Sequence, residues 1–242
     1  MIQLFSAFAF ADQTSLGFDP TIQRDTDNKG QFVITVYPEN SMQNARRFKT
    51  GSVLSSYGAE PLLGRGTRVF GAVEINGNGE SINSPVVVKD IWIDSDRLRE
   101  GDILDLLYEE ADETDKHLVK THFPTTVCQG DVWTNHDTRD DTANALMRGL
   151  EIASDHAQLF QLQRKSYVQS SATPSGSDGL RATSRAQARH NHLRVRYAHK
   201  THYRIVFKEK GITIDRMNSL PQIMGVLSET VDGAFLFGTV HL

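Results

Sequence analysis

The sequence predicts an α+β fold: an antiparallel sheet with one helix packed on it, followed by a long amphipathic helix. Three observations predict it. Runs rich in β-branched and aromatic residues lie at residues 31–37 and 68–75, and the second ends on Asn76-Gly77-Asn78-Gly79, the strongest hairpin signal in the chain. Residues 97–108 carry Leu98, Ile103, Leu104 and Leu107 at spacings that put most of them on one helical face. Ser219-Leu220-Pro221-Gln222 has the form of a capping box, and behind it Leu220, Ile223, Met224, Leu227, Val231 and Phe235 recur at three- and four-residue steps.

Taken in chain order, the strand at 31–37 follows the turn-prone Asp27-Asn28-Lys29-Gly30. The strand at 68–75 turns at 76–79, and Val86-Val87-Val88 returns and is expected to end on Lys89. Asp94 or Ser95 is placed to cap the helix over 97–108. Val127 and residues 145–148 read as short strands or strand ends. Residues 166–189 turn to Ser, Thr, Gly, Ala and Arg with almost nothing to bury, which predicts a disordered insertion. Residues 203–207 read as a strand again before the amphipathic helix. The chain shows no internal repeat.

Composition narrows the function classes. A chain of 242 residues that is 38% hydrophobic can fill one large core or two small ones. The net charge of -4 argues against nucleic acid as a partner of the whole molecule, although residues 90–115 are mostly acidic and 181–210 mostly basic. The single cysteine, Cys128, excludes an internal disulfide, suits a reducing compartment, and reads as a small buried apolar side chain. The first twelve residues lack the basic start of a signal peptide, and no run reaches membrane-span length. The expectation is an intracellular protein of cytoplasm or nucleus with no membrane partner.

Three features that carry chemistry follow one another. Leu63-Gly64-Arg65-Gly66-Thr67-Arg68-Val69-Phe70 puts two glycines one residue apart at the mouth of the hairpin, where absent side chains let backbone amides approach phosphate oxygens. Val86-Val87-Val88-Lys89 is an apolar strand with a lysine behind it. Glu100 stands one turn before the Ile103-Leu104 pair on the expected helix.

Four runs then carry a specific resemblance: Gly17-Phe18-Asp19-Pro20-Thr21, the segment 63–70, Lys89-Asp90-Ile91-Trp92-Ile93-Asp94-Ser95-Asp96-Arg97-Leu98-Arg99-Glu100-Gly101-Asp102-Ile103-Leu104, and His202-Tyr203-Arg204-Ile205-Val206-Phe207-Lys208-Glu209. The chain resembles the fungal-type protein kinase family of mushroom-forming fungi over nearly its whole length. The resemblance implies a protein-kinase-like N-lobe with a hinge and the first long helix of a C-lobe. Residues 1–50 would be an N-terminal extension with a strand, 51–165 the N-lobe, 166–195 a disordered insertion, and 196–242 the hinge strand and a truncated C-lobe helix.

The resemblance also implies a cofactor and its residues. Gly64 and Gly66 would cover the phosphates of ATP, Lys89 would hold them, and Glu100 would orient Lys89. Phe207, Lys208 and Glu209 would begin the hinge that meets adenine. Members of the family continue into a His-Arg-Asp catalytic loop and an aspartate that binds magnesium, and this chain carries neither. His136-Asp137 with Asn144 has the wrong spacing and precedes the hinge. Asp178-Gly179 falls in the expected disordered stretch and Asp232-Gly233 in the expected helix. The expectation is therefore a serine/threonine kinase family domain that stops before the catalytic loop and is inactive alone, with no catalytic base and no magnesium ligand.

Two other readings compete with it. One is a pseudokinase-like scaffold that binds nucleotide or protein without turnover. The other is a nucleic-acid module built on Arg181, Arg185, Arg189, Arg194, Arg196 and Lys200, against which the scarcity of aromatic side chains nearby argues. His190, His192, His199 and His202 fall in the same basic stretch without a second kind of ligand, which argues against a metal site.

Overall fold

A computed structural model of the chain describes residues 2–38, 41–57, 66–135, 137–146 and 199–239. Its strands are β1 (Ile22–Arg24), β2 (Phe32–Val36), β3 (Arg46–Tyr57), β4 (Thr67–Ile75), β5 (Val86–Asp94), β6 (Thr126–Asp131) and β7 (Lys200–Phe207). They form one antiparallel sheet in the order β1-β2-β3-β4-β5-β7-β6. The helices are α1 (Ile2–Phe10), α2 (Glu100–Glu110), α3 (Glu113–His122) and α4 (Leu220–Thr239).

The middle of the sheet explains the unbroken Val86-Val87-Val88 run, because both faces of β5 are covered. Val86 and Val88 join Ile34, Val36, Phe48, Phe70, Cys128 and Val206 in one core. Val87 joins Tyr203, Ile205 and Phe207 in a second, with Val69, Ile91 and Leu104 packed against it. Alternation along a strand sends neighbours to opposite faces, so Lys89 lies with the second core and Asp90 with the first. The sheet curls around the first core. Arg46 on β3 donates from Nη1 to the Val127 carbonyl on β6 at 2.9 Å, although β4, β5 and β7 lie between those strands in the sheet order.

The hairpin signal at 76–79 is a real turn. Gly79 has φ 84°, and the Asn76 side-chain oxygen accepts from the amides of Asn78 and Glu80, each at 2.9 Å.

Several expectations are corrected. β5 does not end on Lys89 but runs on to Asp94, because Ile91, Trp92 and Ile93 pair with Tyr203, His202 and Thr201 of β7. That partner lies more than a hundred residues downstream, out of reach of local pattern. Neither Asp94 nor Ser95 caps α2, whose N-cap is Arg99 with no side-chain cap bond. Asp94 accepts from Lys200 Nζ at 2.5 Å, and the Ser95 amide donates to the His199 carbonyl at 2.8 Å.

A second helix, α3, follows α2 where only one was expected. It shows few apolar residues, but its first turn holds Glu113 and Asp115 and its last turn Lys120 and His122, which complements the helix dipole. Residues 142–146 form a helical turn and not a strand, while 147 and 148 lie outside the described residues. The expected insertion over 166–195 also lies outside them. β1, β3 and α1 were not foreseen, and β3 runs straight across residue 50, where the N-terminal extension was expected to end.

α4 begins as expected, with Ser219 Oγ accepting from the Gln222 amide at 3.4 Å. Its Leu220, Met224, Leu227 and Val231 side chains are exposed. The helix meets the end of α3 at Gly233, beside His122 and Phe123. No helix among the described residues is long and apolar enough to cross a membrane.

Candidate functional site

Lys89 stands between Val69 of β4 and Ile205 of β7 in the ladder, and its side chain leaves the sheet toward α2. Glu100 is the first residue of α2. Lys89 Nζ and Glu100 Oε2 are 2.5 Å apart. The two side chains keep 25% and 43% of their exposure, so the pair faces solvent and a charged ligand can reach the ammonium.

The residues on each side of Glu100 are tied down. The Arg99 guanidinium forks onto Asp131 of β6, at 2.9 Å from Nε and 3.2 Å from Nη2. The Gly101 amide donates to the Tyr203 hydroxyl at 3.2 Å. That hydroxyl donates in turn to Gln129 Oε1 of β6, and the Gln129 amide donates to Asp102 at 3.0 Å. Burial, ahead of the nearby carboxylates of Asp102 and Glu100, pushes the Tyr203 phenol far above its ordinary pKa and keeps its proton in place.

The remaining expected residues are placed less completely. Gly66 leads into β4, and its carbonyl accepts from the Trp92 amide at 3.1 Å. A Cβ added there would meet Trp92 at 3.7 Å, ordinary contact, so packing does not demand a glycine. Gly64 lies outside the described residues. Phe207 is buried and ends β7 opposite Val87. The Lys208 amide donates to the Thr125 carbonyl at 3.0 Å. The Glu209 carboxylate accepts from the Thr125 amide at 2.7 Å and hydroxyl at 2.8 Å. Burial opposes the Glu209 charge, but these two donors outweigh it and hold its pKa below the usual range. The structure thus brings Lys89 and Glu100 together and puts 207–209 at the end of the strand beside β5.

The face of β5 away from Lys89 holds a network that the sequence reading missed. Asp90 Oδ1 accepts from Arg204 Nε and from the His202 ring, each at 2.7 Å, and Asp90 Oδ2 accepts from Arg68 at 2.6 Å. Arg204 continues to Asp19, to Thr21 Oγ1 at 2.5 Å and to the Thr35 carbonyl at 2.8 Å. The other nitrogen of His202 faces Asp140 at 2.7 Å, and its ring stacks on Trp92.

His202 is therefore a buried strand residue among carboxylates, which corrects its placement in a basic loop. Asp19, Asp90 and His202 are close enough to share a metal ion. The Arg204 guanidinium already bonds both carboxylates, however, and supplies the positive charge a metal would bring. The available signal was polar residues at alternate positions, His202 and Arg204, leading into the apolar Ile205-Val206-Phe207 run.

Among the described residues, the candidate substitutes for a catalytic loop engage local partners. Asp137 takes an Asn135 side-chain bond on its amide, Asn144 bonds Asp141, and Asp232 and Gly233 are inside α4. His136 and Asp178-Gly179 lie outside the described residues.

The family model described as "Fungal protein kinase" matches residues 1–237. No curated protein and no solved structure matches the chain.

Proposed function

The chain belongs to the fungal protein kinase family, and from that premise we propose that it binds ATP, with Lys89 receiving the phosphates and Glu100 aiming Lys89 at them. The observation that carries this reading is the 2.5 Å pair between a lysine on the third strand of the β3-β4-β5 meander and the first residue of the next helix. A curled antiparallel sheet with few helices fits a kinase-like N-lobe.

The residues present suit a nucleotide. The Lys89 ammonium has three donors and gives one to Glu100, and the half-buried Val69 lies opposite Lys89 on β4 as an apolar neighbour. Gly64 and Gly66 would let the backbone between β3 and β4 close over the phosphates. At the hinge, the Lys208 amide is committed to Thr125, so adenine contacts fall to the backbone from Glu209 onward, beyond the end of the strand at Phe207.

Magnesium, when bound, neutralises phosphate charge, but this chain has no residue assigned to hold it. Its own contribution is to bind and orient the nucleotide. Phosphoryl transfer to a serine or threonine needs the catalytic loop and metal carboxylate that these residues lack.

A thermal shift with ATP, with and without magnesium, tests the proposal. Stabilisation that disappears in Lys89→Met is expected; equal shifts in the unsubstituted chain and the variant, or none in either, would overturn it.

A further inference from the structure

The Lys89 to Glu100 pair is too exposed to hold α2 in place. Exposed pairs of this kind contribute little in water, and the Glu100 side chain keeps 43% of its exposure. The buried contacts on either side of Glu100 are stronger candidates. Tyr203 is 1% exposed, and its hydroxyl is both acceptor for the Gly101 amide and donor to Gln129. Gln129 reaches back with its amide to Asp102 and, at 3.5 Å, to Asp105. A Cβ on Gly101 would lie 2.0 Å from Gln129 Oε1, so only glycine lets the helix come this close with the amide in place.

We propose that Tyr203 and Gln129 are positioning residues that fasten the first turn of α2 to β6 and β7 and so hold Glu100 beside Lys89 before any ligand arrives. The relevance to nucleotide rests on the reading that Lys89 receives phosphates; the fastening itself does not.

The chain carries its own control. Lys200 Nζ and Asp94 Oδ1 are also 2.5 Å apart, on the same sheet but without α2. A zero-length carbodiimide joins a lysine to a carboxylate in contact, and digestion with mass spectrometry reads each link separately. In the full chain without nucleotide, Tyr203→Phe and Gln129→Leu should each lower the Lys89 to Glu100 link about fivefold relative to the Lys200 to Asp94 link, in line with losing a net hydrogen bond. An unchanged ratio in both variants overturns the proposal.

If Tyr203→Phe loses both links, the sheet itself has failed, and Gln129→Leu decides, since Gln129 is only half-buried. A fallen ratio in that variant supports the fastening, and an unchanged one overturns it. ATP binding is scored separately by thermal shift. A chain that ignores ATP but shows the fallen ratio keeps the fastening and loses the nucleotide reading.

Discussion

Asp90 and Arg204 stand directly opposite each other in the β5–β7 ladder and are joined at 2.7 Å, with only 2% and 1% of each residue exposed. The pair ties the central strands to the N-terminal segment, because Arg204 also reaches Asp19 and Thr21. Burial works against the charge on Asp90, but Arg204, His202 and Arg68 together drive its pKa far below the usual carboxylate range.

Arg204→Met leaves buried Asp90 and half-buried Asp19 without their main partner. Removing one member of a buried ion pair costs about 3–5 kcal/mol. Urea unfolding should show a loss of that size. A change under about 1 kcal/mol, the range of an ordinary surface ion pair, would mean that the network does not hold the sheet together.

Lys89→Met and Glu100→Gln should behave differently. Each breaks a half-exposed pair, so each should shift stability by less than about 1 kcal/mol. Urea midpoints close to that of the unsubstituted chain, together with loss of the ATP shift in Lys89→Met, are the expected result.

Gly101→Ala should be destabilising even though alanine suits helices better by about 1 kcal/mol. The added methyl drives the Gln129 amide out of its bonds to Tyr203 and Asp102. A net loss of about 1–2 kcal/mol by urea unfolding, from unmade buried hydrogen bonds, is expected. A gain in stability would show that Gln129 moves aside without cost.

Stability should also depend on the charge of His202. Burial disfavours its imidazolium, but Asp140 and Asp90 outweigh burial and raise its pKa above the ordinary 6.5. A raised native pKa stabilises fully below the unfolded value and loses that contribution as pH rises through the native one. The melting temperature should therefore fall as pH climbs from about 6.5. Cys128 does not interfere below its ordinary 9.0, since burial pushes it up to about 11. His202→Gln should flatten the profile between those limits, and an equally steep profile in that variant would assign the dependence elsewhere.

The legible parts of the fold are those encoded locally. The Asn76 turn, β2, β4 and the start of α4 were readable because each carries its signal within a few residues. Lys89 and Glu100 were readable because a lysine behind an apolar strand and a glutamate on the next helix keep recognisable company. What was hidden depends on distant partners. The second half of β5 exists because β7 pairs with it, and His202 is buried among carboxylates because β5 brings Asp90, and the segment after β6 brings Asp140, to its two ring nitrogens. β3 was missed because Lys49, Thr50, Gly51 and Ser52 interrupt its apolar pattern, while pairing with both β2 and β4 sustains it.

The alternation of Lys89 and Asp90 makes β5 intolerant of frame. Gain or loss of one codon between Val86 and Lys89 would turn every later side chain of the strand inside out. The ammonium would be thrust among Arg68 and Arg204, and the carboxylate would emerge beside Glu100. Drift in length should therefore be purged within this stretch.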